Sequence, residues 1–177
     1  MGVFRNYLLA SMAVGLAVPV GIALAQSPTV SIETDYLMTI ELMLDPPQEV
    51  GPRRIVNVSS GSAHGPKING NFITPTADWV TPQPDGSIRL DVRGMIKTDD
   101  GETIFVEYNG VIVRSKEVVD RFNKGEVITS KDEYFVTAPR FTTASKKYGW
   151  INQFQAVGKM VSRQNNGRLK YDIFAVR

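Results

Sequence analysis

The sequence contains no cysteine and a single histidine among its 177 residues. Without cysteine there can be no disulfide, no thiolate nucleophile, no iron–sulfur cluster and no zinc–cysteine site. With His64 as the only imidazole, a metal site built from several histidines is excluded as well. Since no nucleophile-elbow motif is present, a Ser–His–Asp triad is not predicted either. We expect no metal and no cofactor.

A strong charge of one sign is also missing, because 20 basic and 18 acidic residues leave a formal net charge of +2. The charge is unevenly distributed, since residues 140–177 hold eight basic residues and one acidic residue. In a β fold, strands that are far apart in sequence become neighbours, which mixes the two parts of the chain. Because the basic residues are scattered rather than clustered, no nucleic-acid partner is predicted.

The first 25 residues have the organisation of a cleavable secretory signal peptide. Arg5 is their only charge, residues 7–25 are uncharged and largely apolar, and the small-x-small site Ala23-Leu24-Ala25 precedes Gln26. The alternative is an uncleaved membrane anchor, since the apolar run is nearly long enough to span a bilayer. We predict cleavage, export to the periplasm or the medium, and no membrane span in the mature chain.

Short strands make up most of the remaining chain. We expect a flexible segment over residues 26–34 and a single domain over residues 35–177. A helix is expected between the N-cap Ser115 and the terminating Gly125. Alternation and turn signals predict strands over residues 35–44, 54–59, 67–74, 78–80, 87–98, 102–114, 134–142, 148–160 and 169–176.

A chain of eight or nine antiparallel strands must protect its edges by closing or stacking. We therefore predict an all-β fold, a compact antiparallel β-barrel with one short helix. No alternation of strands and helices is present, so a doubly wound parallel sheet is not expected.

Residues 88–93 alternate between an apolar face and a charged face, and the charged face carries Asp91 and Arg93. Alternation alone favours placing the charged face in water. If that face instead lines a lumen, the two charges must be paired or ligand-bound, because isolated buried charges are too costly.

Two aromatic motifs are candidate site elements. In Asp78-Trp79 an acid adjoins a large ring, and burial would raise the carboxyl pKa toward that of a useful acid or base. The alternative is that Trp79 is core and Asp78 caps a turn. On the predicted strand 148–160, Trp150 and Asn152 share a face suited to a flat ligand with one polar edge. The alternative there is an aromatic core in which Asn152 bonds backbone.

Several short motifs occur in a characteristic order and spacing, among them Gly-Pro, Asp-Trp, Thr-Asp-Asp-Gly and Trp-x-Asn. They lie in Arg53–Gly61, Gly65–Gly70, Ala77–Trp79, Asp85–Gly86, Thr98–Gly101, Tyr134–Phe135, Pro139–Thr143 and Tyr148–Asn152. Over about residues 35–177 the chain thereby resembles the family called domain of unknown function 3237, also known as uncharacterised protein family 0311. The resemblance implies a compact antiparallel barrel, similar to lipocalin-type or allene-oxide-cyclase-type barrels, and no settled activity. The family positions that it carries over are Asp78, Trp79, Arg93, Trp150 and Asn152.

The chain departs from the family pattern at four places. The pair Ser60-Gly61 stands where the family often has Gly-Gly, and Val136 stands where it often has arginine. Thr142 replaces a frequent glutamate, and Gln153 replaces a frequent arginine after Asn152. If the family's charged residues act in a pocket, this pocket is less polar, which favours binding over acid–base chemistry.

Our first hypothesis is an exported barrel that binds a small, partly aromatic molecule in its lumen. Trp79, Tyr108 and Trp150 would supply the apolar walls of this site. Arg93 would meet a carboxylate or phenolate of the ligand, and Asn152 would orient it.

Two other hypotheses stay open. The second is a cofactor-free isomerase, cyclase or lyase, in which Asp78 or Asp91 is the general base and Arg93 stabilises an enolate or oxyanion. The third is an envelope structural or partner-binding protein. Its basic C-terminal segment, with Lys146-Lys147 and Arg163, would contact anionic lipid or a partner.

Overall fold

The structure, a computed structural model, describes residues 29–177. The predicted signal peptide lies outside the described residues. Ile32–Arg177 form one compact unit, and the remainder, Met1–Ser31, is a second unit of which only residues 29–31 are described. Within the described part of the chain, no helix is both long and apolar enough to cross a membrane.

Ten strands, one α-helix and one 3₁₀ helix make up the described chain. In chain order they are β1 (Thr34–Leu44), β2 (Gln48–Val50), β3 (Arg53–His64), β4 (Asn69–Pro82), β5 (Ile88–Thr98), β6 (Thr103–Val113), α1 (Lys116–Asn123), β7 (Ile128–Thr129), β8 (Tyr134–Thr142), the 3₁₀ helix (Gly149–Gln153), β9 (Ala156–Arg163) and β10 (Arg168–Val176). The short strands β2 and β7 pair only with β3 and β9, respectively. The other eight strands form the barrel.

The barrel is a closed antiparallel ring. From β3 to β10 each barrel strand pairs with the next barrel strand along the chain. β1 closes the ring because it pairs with β10 on one side and with β3 on the other. The predicted all-β antiparallel barrel is therefore confirmed, with eight strands in the ring.

Alternation along the strands separates an inner face from an outer face. In β5 every second residue is buried from Ile88 to Thr98, and β6 repeats this pattern from Ile104 to Ile112. Residues directly opposite each other in an antiparallel pair share a face. The inner faces are filled mainly by aliphatic and aromatic side chains, including Met38, Ile40, Ile96, Ile104, Val106, Phe135, Phe141, Met160 and Ile173.

The two ends of the barrel differ. One end, which we call the α1 end, carries α1 between β6 and β8, and its N-cap is Ser115, as predicted. The Val118 N–H donates to Ser115 Oγ at 3.3 Å, and Gly125 follows the helix with φ +88°. A left-handed φ favours glycine, so this residue ends the helix. The opposite end carries the 3₁₀ helix, and we call it the 3₁₀ end.

The predicted strand over residues 148–160 is wrong in its first half. The chain forms the 3₁₀ helix there, and β9 begins only at Ala156. The cause is local, because Asn152 Oδ1 accepts from the Thr143 N–H at 2.8 Å and Asn152 Nδ2 donates to the Thr143 carbonyl at 2.9 Å. These two bonds close the segment on itself instead of leaving it extended.

Candidate functional site

Asp78 lies on the inner face of the barrel wall. It is opposite Val56 of β3 and Val92 of β5, and Val92 is in turn opposite Tyr108 of β6. Val92 is buried, so the shared face is the inner one. Asp78 and its neighbour Val56 nevertheless keep partial exposure. The wall is therefore not completely closed to solvent at the level of Asp78.

The environment of Asp78 favours its protonated form. Burial raises the pKa of Asp78 to about 7, and the negative charge of Asp91 contributes in the same direction. Asp78 Oδ1 accepts a hydrogen bond from the Asp91 backbone N–H at 3.1 Å, which opposes the shift. Near neutral pH the carboxyl group can thus both accept and donate a proton, as a general acid or base requires.

Two tyrosines adjoin this carboxyl group, and we call the three residues the Asp78 site. The ring centroids of Tyr108 and Tyr171 are 6.4 Å apart, with the rings edge to face. Burial raises the pKa of both phenols, and the charge of Asp78 adds to the increase in each. Both hydroxyls therefore stay protonated over the ordinary pH range, and a hydrogen bond from Tyr171 opposes part of the increase at Tyr108.

Trp79, Asp91 and Arg93 lie on the other side of the same wall, and we call them the outer patch. Arg93 Nη1 is 3.0 Å from Asp91 Oδ1, and its guanidinium carbon is 5.9 Å from the Trp79 ring centroid. The Arg93 side chain is 51% exposed. The predicted lumenal placement of Trp79 and Arg93 is therefore wrong. Val92 and its apolar neighbours fill the inside, so the charged face is the outer one, as alternation alone favours.

A polar groove of about 330 Å³ adjoins the outer patch. Glu107 and Arg140 line it and form an ion pair at 3.0 Å between Oε1 and Nη2. The groove also includes Asp91 and Arg93, so two ion pairs lie side by side across β5, β6 and β8. Exposed pairs of this kind contribute little to stability, typically up to about 1 kcal/mol.

Trp150 and Asn152 lie at the 3₁₀ end, away from the Asp78 site. Trp150 stacks on Phe154, with ring centroids 5.9 Å apart. Asn152 uses its amide to bind the backbone of Thr143. The structure thus brings Asp78 and Tyr108 together on the inner face, but it does not bring Trp150, Asn152 or Arg93 to them. The predicted convergence of all these side chains in one lumen does not occur, and their roles in binding stay predictions.

A buried ion pair at the α1 end is not predicted from the sequence. Glu133 Oε1 and Oε2 accept from Arg163 Nε at 2.5 Å and Nη2 at 2.8 Å, and the Glu133 side chain is fully buried. The Arg163 guanidinium lies 4.0 Å from the Phe122 ring centroid of α1. The predicted placement of Arg163 on a basic surface is therefore wrong. The charge of Glu133 also raises the pKa of Tyr171, so the pair lies near the Asp78 site.

No signal in the sequence marks Glu133, Arg163 or Tyr171 as belonging near Asp78. They lie in or next to β8, β9 and β10, and only closure of the ring brings them to β4. In residues 29–177, no group of three or more acidic or histidine side chains is arranged to hold a metal ion.

Several known proteins are similar to this chain in sequence and in fold. A family model described as "Protein of unknown function (DUF3237)" matches residues 32–176. A UPF0311 protein from Rhodopseudomonas palustris is 31% identical over 135 residues, which covers 73% of this chain and 88% of that protein. Its crystal structure, described as a conserved protein of unknown function, superposes with a TM-score of 0.76 at 30% identity and covers 84% of this chain and all of that one.

Two further relatives are informative. The crystal structure of a β-barrel-like protein from Acinetobacter baumannii gives a TM-score of 0.71 at 28% identity, over 86% of this chain and all of that one. A hydroalkoxylation enzyme of Penicillium herquei is 28% identical over 106 residues, which covers 60% of this chain and 56% of that enzyme.

Proposed function

The chain belongs to the DUF3237 family of proteins of unknown function, and on that premise we propose that it is a cofactor-free acid–base enzyme. Its substrate would be a small, partly aromatic organic molecule that contacts the wall where Asp78 and Val56 keep partial exposure, because the rest of the inner face is filled by side chains. The observation that carries the proposal is the inward-facing carboxyl group of a partly exposed residue, whose pKa burial raises to about 7. Carboxyl groups tuned toward neutrality are concentrated at catalytic sites.

The reaction class that fits is the addition of an O–H group across a carbon–carbon double bond that is conjugated to a carbonyl group, or its reverse. The Asp78 carboxylate would take the proton from the attacking oxygen, and a C–O bond would form. The same carboxylic acid would then return the proton to the neighbouring carbon, so the reaction consumes no oxidant or reductant. The name of the Penicillium herquei relative, a hydroalkoxylation enzyme, likewise denotes addition of an O–H group across a double bond, which supports extending this chemistry to this chain.

Tyr108 and Tyr171 would stabilise the negative charge that develops on the substrate. Each keeps its phenolic proton, since burial and nearby Asp78 raise its pKa. A preorganised donor in a water-poor site stabilises an enolate more strongly than water does. Arg93, the enolate partner that we expected from the sequence, is on the outer face and is replaced in this role by the phenols.

Turnover should depend on Asp78. We expect Asp78→Asn to lower kcat about 10²- to 10⁴-fold on hydroxyaryl enones, because the amide cannot transfer the proton. Asp99→Asn is the matched control and should retain turnover, since Asp99 is exposed in the β5–β6 turn. Conversion is measured by ¹H NMR, and the rate should rise with pH through about 7 as Asp78 loses its proton. Equal rates in Asp78→Asn and the parent chain, or no conversion and no binding across the whole panel, would contradict the proposal.

We also propose that the chain is exported, which rests on the organisation of residues 1–25. When the chain is expressed with its own leader, the intact mass of the exported protein should correspond to a first residue of Gln26. Recovery of the uncleaved chain in the cytoplasmic or membrane fraction would contradict cleavage and export.

A further inference from the structure

We propose that a groove at the 3₁₀ end of the barrel binds a planar aromatic molecule that carries an anionic group. The groove has a volume of about 670 Å³ and lies between the start of β1, the β3–β4 connection, the 3₁₀ helix and the end of β10. Asp78 is not among its lining residues, and β4 carries Asp78 toward the opposite end of the barrel. This aromatic groove is therefore separate from the Asp78 site.

One side of the aromatic groove is a flat apolar wall. Trp150 and Phe154 are stacked, with ring centroids 5.9 Å apart and an angle of 26° between the ring planes. Both rings pack against the core and remain partly exposed toward solvent. Leu37 and Pro66 add apolar surface nearby. A wall of two stacked, nearly parallel rings is complementary to another flat ring, which can extend the stack.

The wall is held in place before any ligand arrives. Asn152 makes two hydrogen bonds to the backbone of Thr143, and Ile151, next to Trp150, is fully buried in the core. Thr143 Oγ1 in turn donates to the carbonyl of Thr103 at 2.7 Å, which fastens the segment to β6. Preorganisation of this kind lowers the entropic cost of binding. Asn152 is thus a positioning residue for Trp150 rather than a ligand contact.

The ammonium group of Lys67 lies beside the aromatic wall. Lys67 Nζ is 5.4 Å from the Trp150 ring centroid. Among residues 29–177, no carboxylate lies within 4.0 Å of that ammonium group. The other cation of the groove, Arg177, already pairs with Asp35. The ammonium of Lys67 is thus available for an anion brought in by a ligand.

These features select one ligand chemistry. An aromatic ring that stacks on Trp150 displaces the Lys67 ammonium from the ring face, and a carboxylate on that ring then pairs with it. A neutral ring would lose the cation–π contact without this compensation. A cationic ring would be repelled by Lys67. The occupant that fits is therefore a planar aromatic acid.

The probe for this site is 2-naphthoate, with 2-naphthamide as its neutral analogue of the same shape. Each is titrated into the full chain and followed by the indole N–H signals in ¹H–¹⁵N NMR spectra. The Trp79→Phe variant assigns the two indole signals, since Trp79 and Trp150 are the only tryptophans. We expect 2-naphthoate to bind saturably and to shift the Trp150 signal, while the Trp79 signal on the outer patch stays in place.

Charge recognition is tested with Lys67→Ala, and Lys131→Ala is the control because Lys131 is an exposed lysine outside the groove. We expect Lys67→Ala to weaken 2-naphthoate about tenfold or more, as for the loss of a charge-assisted contact, and to leave 2-naphthamide unchanged or tighter. The proposal is overturned by the absence of saturable binding, by an equal response of both indoles, or by equal effects of Lys67→Ala and Lys131→Ala. None of these outcomes depends on the acid–base role of Asp78.

Discussion

Asp78→Asn is expected to stabilise the folded chain at pH 8 by about 2–4 kcal/mol. In the folded state, burial raises the pKa of Asp78 to about 7, whereas the ordinary pKa of an exposed aspartate is 3.8. Between these two values the folded state holds more protons than the unfolded state. The free energy of unfolding therefore falls as pH rises from about 4 to above 7. Each unit of difference between the folded-state and unfolded-state pKa corresponds to about 1.4 kcal/mol of stability. The partial exposure of Asp78 lowers the effect below the value that the whole difference would give.

The side-chain amide introduced by Asp78→Asn carries no charge, so the folded variant no longer holds a buried carboxylate at pH 8. Its oxygen can still accept the hydrogen bond that Asp78 Oδ1 receives from the Asp91 N–H. The variant and the parent chain should become equally stable near pH 4, where the carboxyl group is neutral in the folded state. Urea denaturation of the variant and the parent chain at pH 4.5 and at pH 8 measures the difference in their stability at each pH.

Asp99→Asn is the control for this experiment, because Asp99 is exposed in the β5–β6 turn. We expect it to change stability by less than about 0.5 kcal/mol at either pH. If Asp78→Asn destabilises the chain at pH 8, the carboxylate is well solvated in the folded state. The acid–base proposal then loses its main support.

Arg163→Met is expected to destabilise the chain by about 3–5 kcal/mol, the second large effect. The Glu133 side chain is completely buried, and both of its oxygens are bonded to Arg163. Removing the guanidinium leaves a carboxylate in the interior without a hydrogen-bond partner, which costs far more than the pair itself contributes. Methionine retains an apolar side chain that can pack on Phe122, so loss of volume is not the cause.

The double variant Glu133→Gln/Arg163→Met should recover a large part of this loss, because the uncompensated charge is then gone. Chemical denaturation of the parent, both single variants and the double variant completes a thermodynamic cycle. Lys116→Met is the matched control, since Lys116 forms an exposed pair with Asp120, and it should cost less than about 1 kcal/mol. A double variant as unstable as Arg163→Met would show that the buried charge is not the origin of the effect.

The elements that the sequence predicts well are those whose signals are local. Alternation in residues 88–93 is sufficient to separate the two faces of β5, and Ser115 is sufficient to place the start of α1. The 3₁₀ helix is not predicted from its own residues, because two hydrogen bonds between Asn152 and Thr143 decide its conformation. The apolar composition of Tyr148–Asn152 is compatible with an extended backbone and with a turned one.

The Asp78 site, too, is predicted from the sequence only where the signals are local. Asp78 is predicted from the sequence as a candidate acid or base, because it adjoins a large aromatic ring. The alternation in β6 predicts the face on which Tyr108 lies. Tyr171 and the Glu133–Arg163 pair come from the last three barrel strands, and only the ring closure makes them neighbours. The predicted lumenal position of Arg93 is wrong because it came from the hypothesis of a ligand in the lumen, whereas alternation alone favours placing the charged face of β5 in water, where it lies.

The position of β1 has a consequence for synthesis of the protein. β1 leaves the ribosome before every other strand of the barrel, yet one of its two partners, β10, follows all of them in the chain. Until β10 is complete, the nascent sheet exposes two unpaired edges, one on β1 and one on β9. Such edges are prone to pairing with other chains. The ring can therefore close only once β10 has been synthesised, and a chaperone that covers the two edges would protect the sheet until then.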